Sequence, residues 1–168
     1  SEFSKRTLYQ YFENKSDLFL SVALRIYRSL KKESEAINLS EENAYNSIEN
    51  LSLAFYKFYK KNKSVYRIIY DMQKVKQETD NPKLSEFKAI LDYLSESLNK
   101  LIIMGQKDGS IEKSLDPEKT TASIIILLTG FFNQLSITEH SPIREVNIKE
   151  EAFPLYVLDL LNSILKKG

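Results

Sequence analysis

The feature that most constrains this chain is the scarcity of residues that break helices. It has only four Gly and four Pro in 168 residues, while apolar side chains recur three and four places apart almost throughout. Such spacing puts apolar groups on one side of a helix. An all-α fold is therefore expected, with helix starts and stops written at the few breakers and caps. The apolar share of 42% is enough for a packed core in a chain of this length.

Local signals divide the chain. Ser4 can cap a short helix over 5–12, and Ser16 the next, whose apolar positions Leu18, Val22, Ile26, Leu30 and Ile37 suggest one stripe over 17–39. Ser40 opens a helix to about Lys61 with Tyr45, Ile48, Leu51, Phe55, Phe58 and Tyr59 on one face. A shorter helix is expected over 65–76. Asn81-Pro82 then pairs an N-cap with proline at the first helical position, and Gly109 is the natural terminator of the helix that follows. Asp116-Pro117 opens a helix to about Ser136. The last helix runs over 150–167, with Pro154 in its first turn or at a kink.

Several chemistries are excluded. Without Cys there is no disulfide, thiolate zinc site or cysteine nucleophile, as suits a cytoplasmic protein. The single histidine, His140, falls in a polar loop, and no metal-ligand spacing, phosphate-cradling glycine loop or nucleophile elbow occurs. An enzyme, a metal site and a cofactor are accordingly not expected. The run Ile124 to Leu128 is too short to span a bilayer, so no membrane partner is expected either. A net charge of +1 gives no global attraction to nucleic acid, so any DNA contact needs a local patch.

One local patch fits. The stretch Ser4-Lys5-Arg6-Thr7-Leu8-Tyr9-Gln10-Tyr11-Phe12-Glu13-Asn14-Lys15-Ser16-Asp17-Leu18-Phe19 has Leu8 and Phe12 four apart, able to anchor a short helix. That leaves Lys5, Arg6, Thr7, Tyr9 and Tyr11 for other contacts, types that pair with phosphates and base edges. This stretch resembles the recognition helix and following turn of the TetR family of bacterial transcriptional regulators. Lys15 matches the lysine that begins the family's connecting helix. Segment 106–118, with Gly109 and Asp116-Pro117, is similar to the family's turn before the first dimerisation helix. In layout the resemblance covers the whole chain, but only 4–19 is specific.

The resemblance implies the C-terminal part of a helix-turn-helix over 1–20 and a ligand-binding and dimerisation domain over 21–168. It implies a cytoplasmic regulator, a repressor in type, that binds operator DNA as a homodimer and releases it on binding a small apolar or aromatic inducer. Lys5, Arg6, Thr7, Tyr9, Tyr11 and Lys15 would form the DNA face. Ser1-Glu2-Phe3 stands where the turn should be, so the sequence as given is expected not to bind an operator specifically.

Of ten Tyr and nine Phe, a group gathers in Phe55-Tyr56-Lys57-Phe58-Tyr59, Tyr66, Tyr70, Phe87, Tyr93 and Phe131-Phe132. An aromatic stripe is more often core than ligand wall, yet the resemblance favours a pocket lined by Leu51, Phe55, Phe58, Tyr59, Tyr66, Ile69, Tyr70, Phe87, Leu91, Leu94 and Phe131. The last two helices, over 117–136 and 150–167, are expected to pair with a second copy through Ile124, Leu127, Leu128, Phe132, Val157, Leu161 and Ile164. Gly130 would ease close approach. The competing reading is a helical module for lipophiles or protein partners that never touches DNA.

Overall fold

The computed structural model describes residues 11–37, 43–64, 81–136 and 152–167. These form five α-helices: α1 Lys15–Ile37, α2 Ala44–Lys61, α3 Pro82–Asp108, α4 Pro117–Ser136 and α5 Ala152–Leu165. The helix expected over 65–76 lies outside the described residues, as do most of the one over 5–12 and the expected cap Ser40. The division expected at residue 20 falls inside α1, which is continuous.

Each helix end has a local cause. Asn14, not Ser16, caps α1: its Oδ1 accepts the Asp17 amide at 2.9 Å, while Asp17 Oδ2 accepts the Glu13 amide at 3.3 Å. Asn43 caps α2 by accepting the Asn46 amide at 2.9 Å. Asn and Ser are near-equal caps, and the asparagine wins where it leaves a complete first turn. Asn81 accepts the Lys83 amide and Asp116 the Lys119 amide, both at 2.9 Å, each just before a proline at the first helical position. The Lys119 amide also holds the Asp116 carboxyl below its usual range. Gly109 ends α3 in the left-handed region at φ 84°, a conformation that costs a side chain and costs glycine little. Pro154 lies in the first turn of α5 and is buried.

Helix α3 is central, packing against α1, α2 and α4, and α5 packs on α2. The larger core joins Leu24, Tyr27 and Leu30 of α1 to Phe58 and Tyr59 of α2, Phe87 and Ile90 of α3, Phe132 of α4 and Leu158 of α5. A second centres on Ile48, Leu98, Ile102, Ile111 and Leu165. Here the α3–α4 turn is clasped to the end of α5: Glu112 donates its amide to Leu165 O at 3.0 Å, and Ile111 donates to Gly105 O at 2.9 Å.

The α1 stripe differs from expectation. Leu20, Ala23, Leu24, Tyr27, Leu30 and Ser34 are buried, whereas Leu18, Val22, Ile26 and Ile37 are half-buried. Strict spacing by four drifts around a 3.6-residue helix, and a helix held between α2 and α3 must keep one line inward. At Gly130 no described atom beyond its own helix lies within 4 Å of a placed Cβ, so nothing within the subunit requires glycine there, and the close approach expected at this residue is one between two copies.

Candidate functional site

Helices α1 to α4 line a cavity of about 740 Å³ that is open to solvent on one side, within the range of drug-sized ligand sites. Tyr27 and Leu30 reach it from α1, and Ile48, Leu51, Ser52 and Phe55 from α2. Helix α3 contributes Leu84, Phe87, Leu91, Asp92, Leu94, Ser95 and Leu98, a run at three- and four-residue spacing. From α4 come Ile124, Ile125, Ile126, Leu128, Thr129, Gly130 and Asn133.

Of the residues expected to line a pocket, Leu51, Phe55, Phe87, Leu91 and Leu94 are on this wall. Phe58 and Tyr59 are not: Phe58 sits edge-on to Tyr27 at 5.5 Å, and Tyr59 stacks on Phe132 at 4.7 Å, so both are core. Phe131 packs against Phe132 and Phe153 instead. Tyr66, Ile69 and Tyr70 lie outside the described residues. Sequence reasoning missed Tyr27, Ile48 and the α4 residues. The signal available was α3 itself, whose face Leu84, Phe87, Leu91, Leu94 and Leu98 needs an opposite wall on a neighbouring helix.

Tyr27 is wedged between Phe58 and Phe87, with ring centroids 5.5 and 5.1 Å away. Burial pushes its hydroxyl up to about 12, which keeps it neutral. On its outer side α1 is tied to α3 by two ion pairs. Lys83 Nζ meets Asp17 Oδ1 at 2.6 Å, and Arg28 meets Glu86 through two 2.6 Å bonds. That fork holds the Glu86 carboxyl below and the Arg28 guanidinium above their ordinary values. Lys31 lies over the Tyr93 ring at 4.6 Å, a third link between the same helices.

The residues expected at a dimer interface divide. Phe132 is fully buried and Leu128 nearly so, Ile124 and Leu128 face the cavity, and Val157 and Leu161 are half-buried, Leu161 against the core. Phe132 has no surface to give a second copy and Leu128 little, because α4 is apolar all round and its own subunit claims one side, while Ile124, Val157 and Leu161 keep part of theirs. Leu127 and Ile164 are exposed, at 52% and 60%, and with Ile126, Tyr156 and Leu160 they make the outward apolar face. Of the expected DNA face, Lys5, Arg6, Thr7 and Tyr9 lie outside the described residues; Tyr11 is helical and exposed, and Lys15 begins α1 with its ammonium 5.1 Å from the Phe19 ring. Among the described residues there is no cluster of His, Asp or Glu able to hold a metal, and no helix long and apolar enough to cross a membrane.

No family model and no curated protein matches the sequence. Solved structures do match the fold. The ketosteroid transcriptional regulator KstR2 of Mycobacterium tuberculosis superposes with a TM-score of 0.76 at 14% identity, covering 97% of this chain and 79% of that one. A tetR-family regulatory protein from Rhodococcus RHA1 gives 0.74 at 14% identity, covering 98% and 81%. The transcriptional regulator FadR from Bacillus subtilis, solved with stearoyl-CoA, gives 0.57 at 19% identity, covering 96% and 82%. The chain has the all-helical fold of TetR-family regulators.

Proposed function

We propose that this chain, built on the TetR-type fold, is the regulatory part of a DNA-binding transcriptional repressor released from its operator by a small, mostly apolar inducer. The observation that carries the reading is the cavity lined by α1 to α4. Helix α1 begins at Lys15, in the segment that resembles a recognition helix and turn, and twelve residues later supplies Tyr27 to the cavity wall. In this reading one helix serves both the DNA face and the ligand site. Two structural neighbours, named as a ketosteroid regulator and as a regulator in complex with stearoyl-CoA, point to lipophilic inducers.

In this mechanism the ligand pushes apart walls that α3 and α1 share, and the ion pairs between them carry the displacement along α1 toward the DNA face. Two recognition helices must stand about 34–36 Å apart to read successive major-groove faces, so a small rotation of α1 is enough to lose the operator. The inducer acts only in so far as it prefers the non-DNA conformation. The second recognition helix comes from a second copy. Ile126, Leu127, Tyr156, Leu160 and Ile164 form an apolar face on α4 and α5 of the kind that a two-fold interface buries.

The test uses the full-length protein. Sheared genomic DNA from its source is passed over it, retained fragments are sequenced, and one is followed in gel shifts as a lipid extract of the same cells is added. Specific retention that the extract abolishes supports the repressor. A protein that retains no fragment above background, yet binds extract components, is a lipophile-binding helical module instead.

A further inference from the structure

The cavity is polar along one edge. Asp92 and Ser95 lie three apart on α3, Thr129 and Asn133 four apart on α4, and each pair shares a helix face. The remaining polar lining residue, Ser52 on α2, donates its hydroxyl to Asn162 at 3.2 Å. Thr129 commits its hydroxyl hydrogen to Ile125 O at 2.6 Å, which leaves its oxygen free to accept. Asn133 Oδ1 is shielded from solvent and has no hydrogen-bond partner among the described residues. The Asp92 carboxylate can only accept. Toward α1 and α2 the wall is Leu30, Ile48, Leu51 and Phe55, with the neutral ring of Tyr27.

Resting on the reading of this cavity as a ligand site, we infer that it takes an amphiphile whose polar end donates hydrogen bonds and carries no negative charge: an alcohol, an amine or an amide. That end sits between α3 and α4 against Asp92, Thr129 and Asn133, and the apolar body lies toward α1 and α2. A buried acceptor without a donor burdens the empty protein, and a ligand that supplies one removes the burden. Rotation about the last side-chain torsion of asparagine is soft, so Asn133 can turn its oxygen to such a donor at small cost. A carboxylate or phosphate head would instead set like charge against Asp92, which stands at the exposed rim, and could take only the Nδ2 donor of Asn133, leaving its Oδ1 unpaired.

The experiment is displacement of Nile red, a neutral apolar dye, from the full chain by dodecanol, dodecylamine and dodecanoate, which share one tail. Dodecanol and dodecylamine should displace the dye at concentrations about tenfold lower than dodecanoate does. Asn133→Leu, similar in size, should weaken both donors by roughly tenfold while the dye still binds. Asp92→Asn should weaken dodecylamine and narrow the gap between dodecanol and dodecanoate. Dodecanoate competing as well as dodecanol on the wild-type protein, or donors unaffected by Asn133→Leu, would overturn the inference and leave the cavity standing as a ligand site. If the dye and all three competitors fail to bind, the ligand-site reading falls and this inference falls with it.

Discussion

Replacing Gly105 by alanine should destabilise the protein, although the usual rule for a glycine inside a helix says the opposite. Alanine is favoured over glycine in a helix interior by about 1 kcal/mol. Here a Cβ would stand 2.5 Å from both Cγ1 and Cδ1 of Ile111 and 3.0 Å from its Cβ. Ile111 cannot step aside: it is β-branched, fully buried, and its amide is bonded to Gly105 O. Overpacking of this kind costs about 1–3 kcal/mol, so the net loss should be about 1 kcal/mol, reaching about 2 if the clasp to Leu165 is strained as well. Ile111→Ala removes the two obstructing carbons at its own cost of about 2–5 kcal/mol. In that background Gly105→Ala should become neutral or stabilising, up to the helix-propensity gain of about 1 kcal/mol. Urea unfolding of the four proteins, followed by far-ultraviolet circular dichroism at one fixed protein concentration, measures the cycle. A Gly105→Ala effect of the same sign and size in both backgrounds would refute the reasoning.

Three further outcomes follow from the geometry. Asp17→Ala removes both the Lys83 partner and the acceptor of the Glu13 amide, and should cost about 1–3 kcal/mol in thermal melts, more than Lys83→Met, which removes a half-exposed cation. For Tyr27, whose folded value lies near 12 against 10 unfolded, the unfolded chain loses its proton first. Stability should therefore decline from pH 10 to pH 12 by about 2–3 kcal/mol, and Tyr27→Phe should flatten that slope in urea titrations; parallel profiles would contradict it. Glu at Leu127 or at Leu160, both exposed at 52%, should yield a monomer by sedimentation at micromolar concentration, whereas a wild-type chain already monomeric there would remove the dimer.

What could be read in the sequence was mostly what is decided within a few residues. Asn81-Pro82, Asp116-Pro117 and Gly109 mark their helix ends correctly because caps and breakers act on neighbouring amides. The starts of α1 and α2 were displaced only where an asparagine competed with a nearby serine. Orientation was harder. Leu127 is half exposed, Leu128 lines the cavity, and Phe132 is fully buried, yet nothing in an all-apolar helix says which side turns inward. That is settled by α2, whose Tyr56 and Tyr59 stack on Phe132. The same dependence hid Phe58 and Tyr59 in the core and left Tyr27 unnoticed. Of the segment that most specifically resembles a known family, 4–10 lie outside the described residues, so the DNA-facing roles of Lys5, Arg6, Thr7 and Tyr9 stand on residue order alone.

Ile126 and Gly130 belong to two surfaces at once: both line the cavity, and both are exposed on the outward side of α4. If a second copy covers that side, it also forms part of the lid over the bound molecule. Occupancy and subunit association are then linked by mass action. Dilution that separates subunits would release ligand, and ligand would hold subunits together, so an affinity measured at one protein concentration would not hold at another. A cell would read the inducer through the abundance of its receptor as well as through the abundance of the inducer.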